Sequence, residues 1–168
     1  MSRLTHLMIH CLDTPEGRDF HKEDVELWHT GPKPPHRGWS KPGYSDLVIL
    51  DGSLEQVMPY DMDDYVDSWE ISNGARGWNG RTRHIAYVGG KDKQGNAKDT
   101  RTHGQLVCLA TYVKVTIRAI PDIQLIGHNQ VHPNKYCPSF YVPKWARFIG
   151  IDTKNIDFNN YANNSFIQ

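Results

Sequence analysis

The chain has little cysteine: Cys11, Cys108 and Cys137 are the only three among 168 residues. An odd count does not close into a disulfide framework, so the thiols are expected to be reduced, with one free to act as ligand or nucleophile. Neither sign of charge is in excess, because 19 basic residues balance 19 acidic ones. That balance removes the electrostatic reason to expect nucleic acid or an anionic membrane as partner. No apolar run approaches the roughly 18 residues of a membrane span, so no membrane insertion is expected. The opening "MSRLTHLMIHCLDT" holds too short and too interrupted an apolar run for a signal peptide. The protein is therefore expected to be cytoplasmic in the cell that makes it. Internal repeats and long linkers are missing too.

What is present suits one domain with a real core, at 38% hydrophobic residues. "LTHLMIHC" (4–11) reads as a buried strand and "HKEDVELWHT" (21–30) as a short helix with Val25 and Trp28 on one face. Prolines and glycines make 30–43 a loop. "SDLVILDGSLEQVMPY" (45–60) is a hairpin turning at Asp51-Gly52. "RHIAYVGG" (83–90) is another strand. The longest helix starts at Thr102, where "THGQ" fits a capping box, and Leu106, Leu109, Ala110, Val113 and Ile117 form its core-facing stripe. "IQLIGH" (123–128) is a short strand, and "VPKWARFIG" (142–150) is a last helix with Pro143 in its first turn. The expected fold is a single α/β domain over 1–150, a central mixed sheet of about five strands flanked by helices. Residues 151–168 form an Asn-rich C-terminal extension, either an ordered appendage or a loose tail.

The stretch "GHNQVHPNKYCPSF" (127–140) carries the densest chemistry. His128 ends one strand, His10 lies near the end of another, and Cys137 follows in a proline-containing loop. Strand ends of an α/β sheet are where loops converge into sites. Two imidazoles and a thiolate suit Zn²⁺, and three protein ligands leave a position open, as catalytic rather than structural sites do. Cys11 is expected on the opposite face of its strand from His10. A histidine taken singly is more often a surface or hydrogen-bonded residue, and a lone cysteine more often a small buried hydrophobe. His132 competes with His128, because a helical 128–132 would let both face one metal; Pro133 argues instead for a loop there. A Cys137–His nucleophile pair is the other reading of these residues.

The chain resembles the zinc-dependent N-acetylmuramoyl-L-alanine amidases of the phage lysozyme type, a family that also includes peptidoglycan recognition proteins. The resemblance runs from about residue 4 to residue 148. It is carried by "IHCLDTP" (9–15), "WH" (28–29), "GW" and "GY" (38–39 and 43–44), "LVILDGSLE" (47–55), "GWN" (77–79), "VGG" (88–90), and "GH" with "KYCPSF" (127–128 and 135–140). Their order and spacing are those of the family. The resemblance implies that His10, His128 and Cys137 hold Zn²⁺, which activates a water to attack the amide between the muramic lactyl group and L-alanine. It implies that Tyr44 orients that water or stabilises the transition state, and that Lys135 faces the oxyanion. The implied partner is peptidoglycan; the protein itself is expected to be a monomer. Trp28 is expected in the core, with His29 left for a hydrogen bond beside the site.

Departures from the family pattern fall around that site. Ser45-Asp46 follow Tyr44 where relatives usually have His-Phe, and Asn73-Gly74-Ala75 stand where many have Ser-His-Ala. His84 occupies a strand position that is commonly glycine, where it could narrow or re-line the cleft. Without an export signal, an endolysin of a phage or prophage fits, as does an effector delivered by a secretion machine. The rival functions are a module that binds peptidoglycan without cutting it and a cysteine peptidase. Relatives that bind without cutting typically lack the cysteine ligand, so Cys137 favours hydrolysis.

Overall fold

The computed structural model describes residues 1–132 and 134–159. Five strands form one sheet: β1 (His6–Cys11), β2 (Asp46–Val48), β3 (Leu54–Gln56), β4 (Thr82–Tyr87) and β5 (Gln124–Gly127). Their spatial order is β3-β2-β4-β1-β5. The β2–β3 hairpin is antiparallel and every other pairing is parallel, so the sheet is mixed. Two short ladders, Ser2–Arg3 with Tyr65–Val66 and Thr14–Pro15 with Gly90–Lys91, lie outside it. The helices are α1 (Lys22–Thr30), α2 (His103–Ala119), the single turn α3 (His128–Val131) and α4 (Val142–Phe148). Among the described residues no helix is long and apolar enough to cross a membrane.

Alternation along the strands sorts the two faces of the sheet. Leu7, Ile9 and Cys11 of β1, Ile85 and Tyr87 of β4, and Leu125 of β5 join α2 and α4 in the main core. The alternate positions, Met8 and His10, His84 and Ala86, and Ile126, point to the other face, where α1 and the loops cover them. The one-residue alternation puts a histidine of β1 and a histidine of β4 on the same face.

Helix α2 is capped as its sequence predicts. Thr102 Oγ1 accepts from the Gln105 amide at 3.2 Å, and Gln105 Oε1 accepts from the Thr102 amide at 3.0 Å. The core stripe is displaced from the expected one: Gln105 is fully buried, whereas Leu106 is 36% exposed. Gln105 Nε2 donates to the carbonyls of Val48 and Val88 at 3.1 and 2.9 Å, pinning the helix start to the ends of β2 and β4. Hydrophobic periodicity is blind to a buried amide whose polar atoms are all satisfied. Gln105→Leu should therefore cost about 2–3 kcal/mol of stability, since it strands two carbonyls and a cap amide. Urea unfolding would measure that loss.

Residues after Gly150 return to β5. The Asp157 amide donates to Leu125 O at 3.0 Å, and Asn155 Nδ2 donates to Pro121 O and Ile123 O. The part of the Asn-rich extension from residue 160 onward lies outside the described residues.

Candidate metal centre

Parallel pairing brings the C-terminal ends of β1 and β5 side by side. His10 is the penultimate residue of β1, and His128 is the first residue after β5. Their rings are 4.6 Å apart between centroids. The chain can turn from β5 into α3 because residue 127 is glycine: an added Cβ would press on Asn129 Oδ1 and Val142 at 2.7 and 2.9 Å. The loop carrying Cys137 is then fastened to the same sheet edge. Tyr87 Oη donates to Pro138 O at 2.7 Å, Ser139 Oγ to Gly90 O at 2.8 Å, and Asn129 Nδ2 to Phe140 O at 3.2 Å.

The outcome is a compact donor set. One ligand atom each from His10, His128 and Cys137 lies within 4.8 Å of the others. Cys137 Sγ stands 3.6 Å from His10 Nδ1. Zinc bonds of about 2.0–2.1 Å to nitrogen and about 2.3 Å to sulfur, at a tetrahedral angle, give a ligand edge of about 3.6 Å. The donors fit a zinc ion. No other group of at least three metal-binding side chains is found among the described residues.

Electrostatics agrees with that fit. Burial holds the His10 imidazole well below its ordinary value, and burial with nearby His132 and Lys135 takes His128 to about 3. Both rings are neutral at pH 7, with a lone pair to offer. Burial, then contact with Cys11, pushes the Cys137 thiol well above its usual range, while the Cys11 backbone N–H, 3.2 Å from Sγ, works the other way. A divalent cation at this point would deprotonate the thiol outright.

Around the donors runs a cleft with two arms of about 600 and 620 Å³. His29, Arg37, Tyr44, His128 and Lys135 line both arms, so the arms meet at His128, and Cys137 lines the second. The Tyr44 ring lies 5.1 Å from His10, and burial pushes its hydroxyl well above the ordinary phenol value, keeping it a neutral donor. Lys135 is exposed at the mouth. The first arm carries Arg37, Arg76 and Lys135 and has no carboxylate among its lining residues.

Some neighbours stand differently from the sequence reading. Residues 128–131 form a helical turn rather than a loop, and the His132 ring stacks edge-on 5.0 Å from His128. His132 nonetheless falls outside the donor set and lines the first arm. On α1 the buried residue is His29, not Trp28, because His29 shares a face with Val25. His29 Nδ1 accepts from the Gly43 amide at 3.1 Å, and its ring stacks on Trp39, so it braces the segment that presents Tyr44. Cys11 does face away from His10, into the main core, yet its backbone N–H reaches Cys137. His84 does more than narrow the cleft: its Nδ1 is 2.9 Å from His10 Nε2. Arg37 and Arg76 carried no sequence signal beyond their place in Gly- and Pro-rich loops.

No family model matches the chain. It is 24% identical over 143 residues to the endolysin of Enterobacteria phage K11, covering 85% of each. Among solved structures it is similar to the N-acetylmuramoyl-L-alanine amidase LysC from Clostridium intestinale, with a TM-score of 0.67 at 18% identity over 90% of this chain and 88% of that one. It is similar also to bumblebee PGRP-SA, with a TM-score of 0.66 at 17% identity over 95% and 87%. These structural likenesses establish the fold. The endolysin relatives and the amidase and PGRP structures are what the chain is similar to in sequence and in fold.

Proposed function

We propose that the protein is a zinc-dependent peptidoglycan hydrolase that cuts the amide between N-acetylmuramic acid and L-alanine, as an endolysin does its lytic work. The observation that carries this reading is the trio of His10, His128 and Cys137 donors, of which His128 lines both cleft arms and Cys137 the second. In this reading His10, His128 and Cys137 hold Zn²⁺ and leave the cleft side open. When bound, the ion supplies a Lewis acid and acidifies a water to a pKa of about 7.

The chain's own residues then do the rest. A linear glycopeptide can cross the junction with its scissile amide beside the ligands, one arm taking each side. The arginines and lysine of the first arm complement the carboxylates of a stem peptide. Tyr44, neutral and beside His10, donates its one hydrogen bond to a reacting oxygen. Lys135 brings its ammonium to the carbonyl oxygen as negative charge develops there, and such a donor is worth about 10²–10³ in rate. The buried histidines exclude water from the back of the site.

The test is lysis of purified cell walls before and after metal removal. A chelator should abolish lysis, and stoichiometric Zn²⁺ should restore it. Lysis that survives chelation but stops on thiol alkylation would favour a cysteine peptidase. Zinc uptake with no release of wall fragments would favour a module that only binds.

A further inference from the structure

Two of the departures from the family pattern meet at one point. They are Gly74 and His84. In this chain the His84 ring fills the space beside Gly74, since a Cβ added at residue 74 would collide with His84 Nδ1. The ring is completely buried on the same sheet face as His10. A leucine would fill that space at no polar cost, whereas His84 brings two ring nitrogens into a dry site. Its Nε2 has no hydrogen-bond partner among the described residues, a cost that a space-filling role does not account for.

The other nitrogen accounts for it. His10 has two distinct neighbours: Nδ1 faces Cys137 Sγ at 3.6 Å, and Nε2 faces His84 Nδ1 at 2.9 Å. A neutral imidazole carries one proton, so a lone pair on Nδ1 requires the proton on Nε2. At 2.9 Å that proton has an acceptor ready in His84. Metal-binding histidines are commonly held this way, by a partner for the ring nitrogen that the metal does not use.

We propose that His84 is a positioning residue for the metal: by accepting the Nε2 proton of His10, it holds that ring in the tautomer and orientation that turn Nδ1 toward the ion. The proposal rests on the metal reading above. His84 is then a polar support for His10 and not a plug in the cleft.

The experiment measures Zn²⁺ affinity, by competition with a chromophoric chelator, for the wild-type chain, His84→Ala and His84→Asn. Thermal unfolding of the metal-free proteins checks that each is folded. His84→Ala should bind zinc about 10–100-fold more weakly. His84→Asn, whose side-chain oxygen can accept near the Nδ1 position, should recover most of that loss. In ¹⁵N-labelled, zinc-loaded wild type, His10 should be protonated on Nε2, with a scalar coupling across to His84 Nδ1. Should His84→Ala not fold, this coupling decides the matter. Zinc affinity in a folded His84→Ala within about twofold of wild type, below the loss such partners cause, would overturn the proposal alone. So would a proton found on His84 Nδ1. A wild-type chain that takes up no zinc would overturn this proposal and the metal reading together.

Discussion

Cys137→Ser should leave the folded chain unable to retain zinc at micromolar concentration, with lysis falling by more than the roughly 100-fold that loss of an outer partner costs. The reason is chemical. A thiolate is a strong zinc ligand, and the serine hydroxyl does not ionise at neutral pH to replace it. The loop itself does not depend on the sulfur, because Tyr87, Ser139 and Asn129 fasten it through Pro138, Gly90 and Phe140. Elemental analysis and a thermal melt on the same preparation separate loss of metal from loss of fold. Cys137→Asp sharpens the result, since a carboxylate can also bind zinc. Partial recovery of metal and lysis in that variant fits a ligand role, whereas a nucleophilic cysteine predicts no recovery.

Lys135→Ala should keep its zinc and lose about 10²–10³ in kcat, the usual worth of one donor to a developing oxyanion. The side chain is exposed, so its removal leaves no buried cavity and should not change stability measurably. Tyr44→Phe should behave similarly, with metal retained and turnover lost. Steady-state assays on soluble muropeptides would separate the effect on kcat from one on KM. Lysis by Lys135→Ala within about threefold of wild type would contradict its assignment, since oxyanion donors are worth far more.

Much of this was legible in the sequence because the signals were local. Asp51-Gly52 marked the hairpin, Thr102 and Gln105 the start of α2, and the apolar run before His128 a strand. The donor trio emerged from motif order together with the rule that sites collect at strand ends. The misplacements have a common origin, since each depended on what a side chain touches in three dimensions. Gln105 replaced Leu106 in the core because two strand carbonyls needed donors. His29 replaced Trp28 because helical spacing from Val25 outweighed hydrophobicity. The contact between His84 and His10 depends on the parallel register of β1 with β4, in which His84 lies level with Met8. No local pattern encodes that pairing.

Mass spectrometry of digested cell walls tests directly whether the metal-loaded site cuts one particular bond. Walls treated with the zinc-loaded protein should release intact stem peptides beginning with a free L-alanine amino group, leaving unbroken glycan strands. The same digest with a chelator should release none. Cut glycan strands, or peptides severed within the stem, would contradict the account.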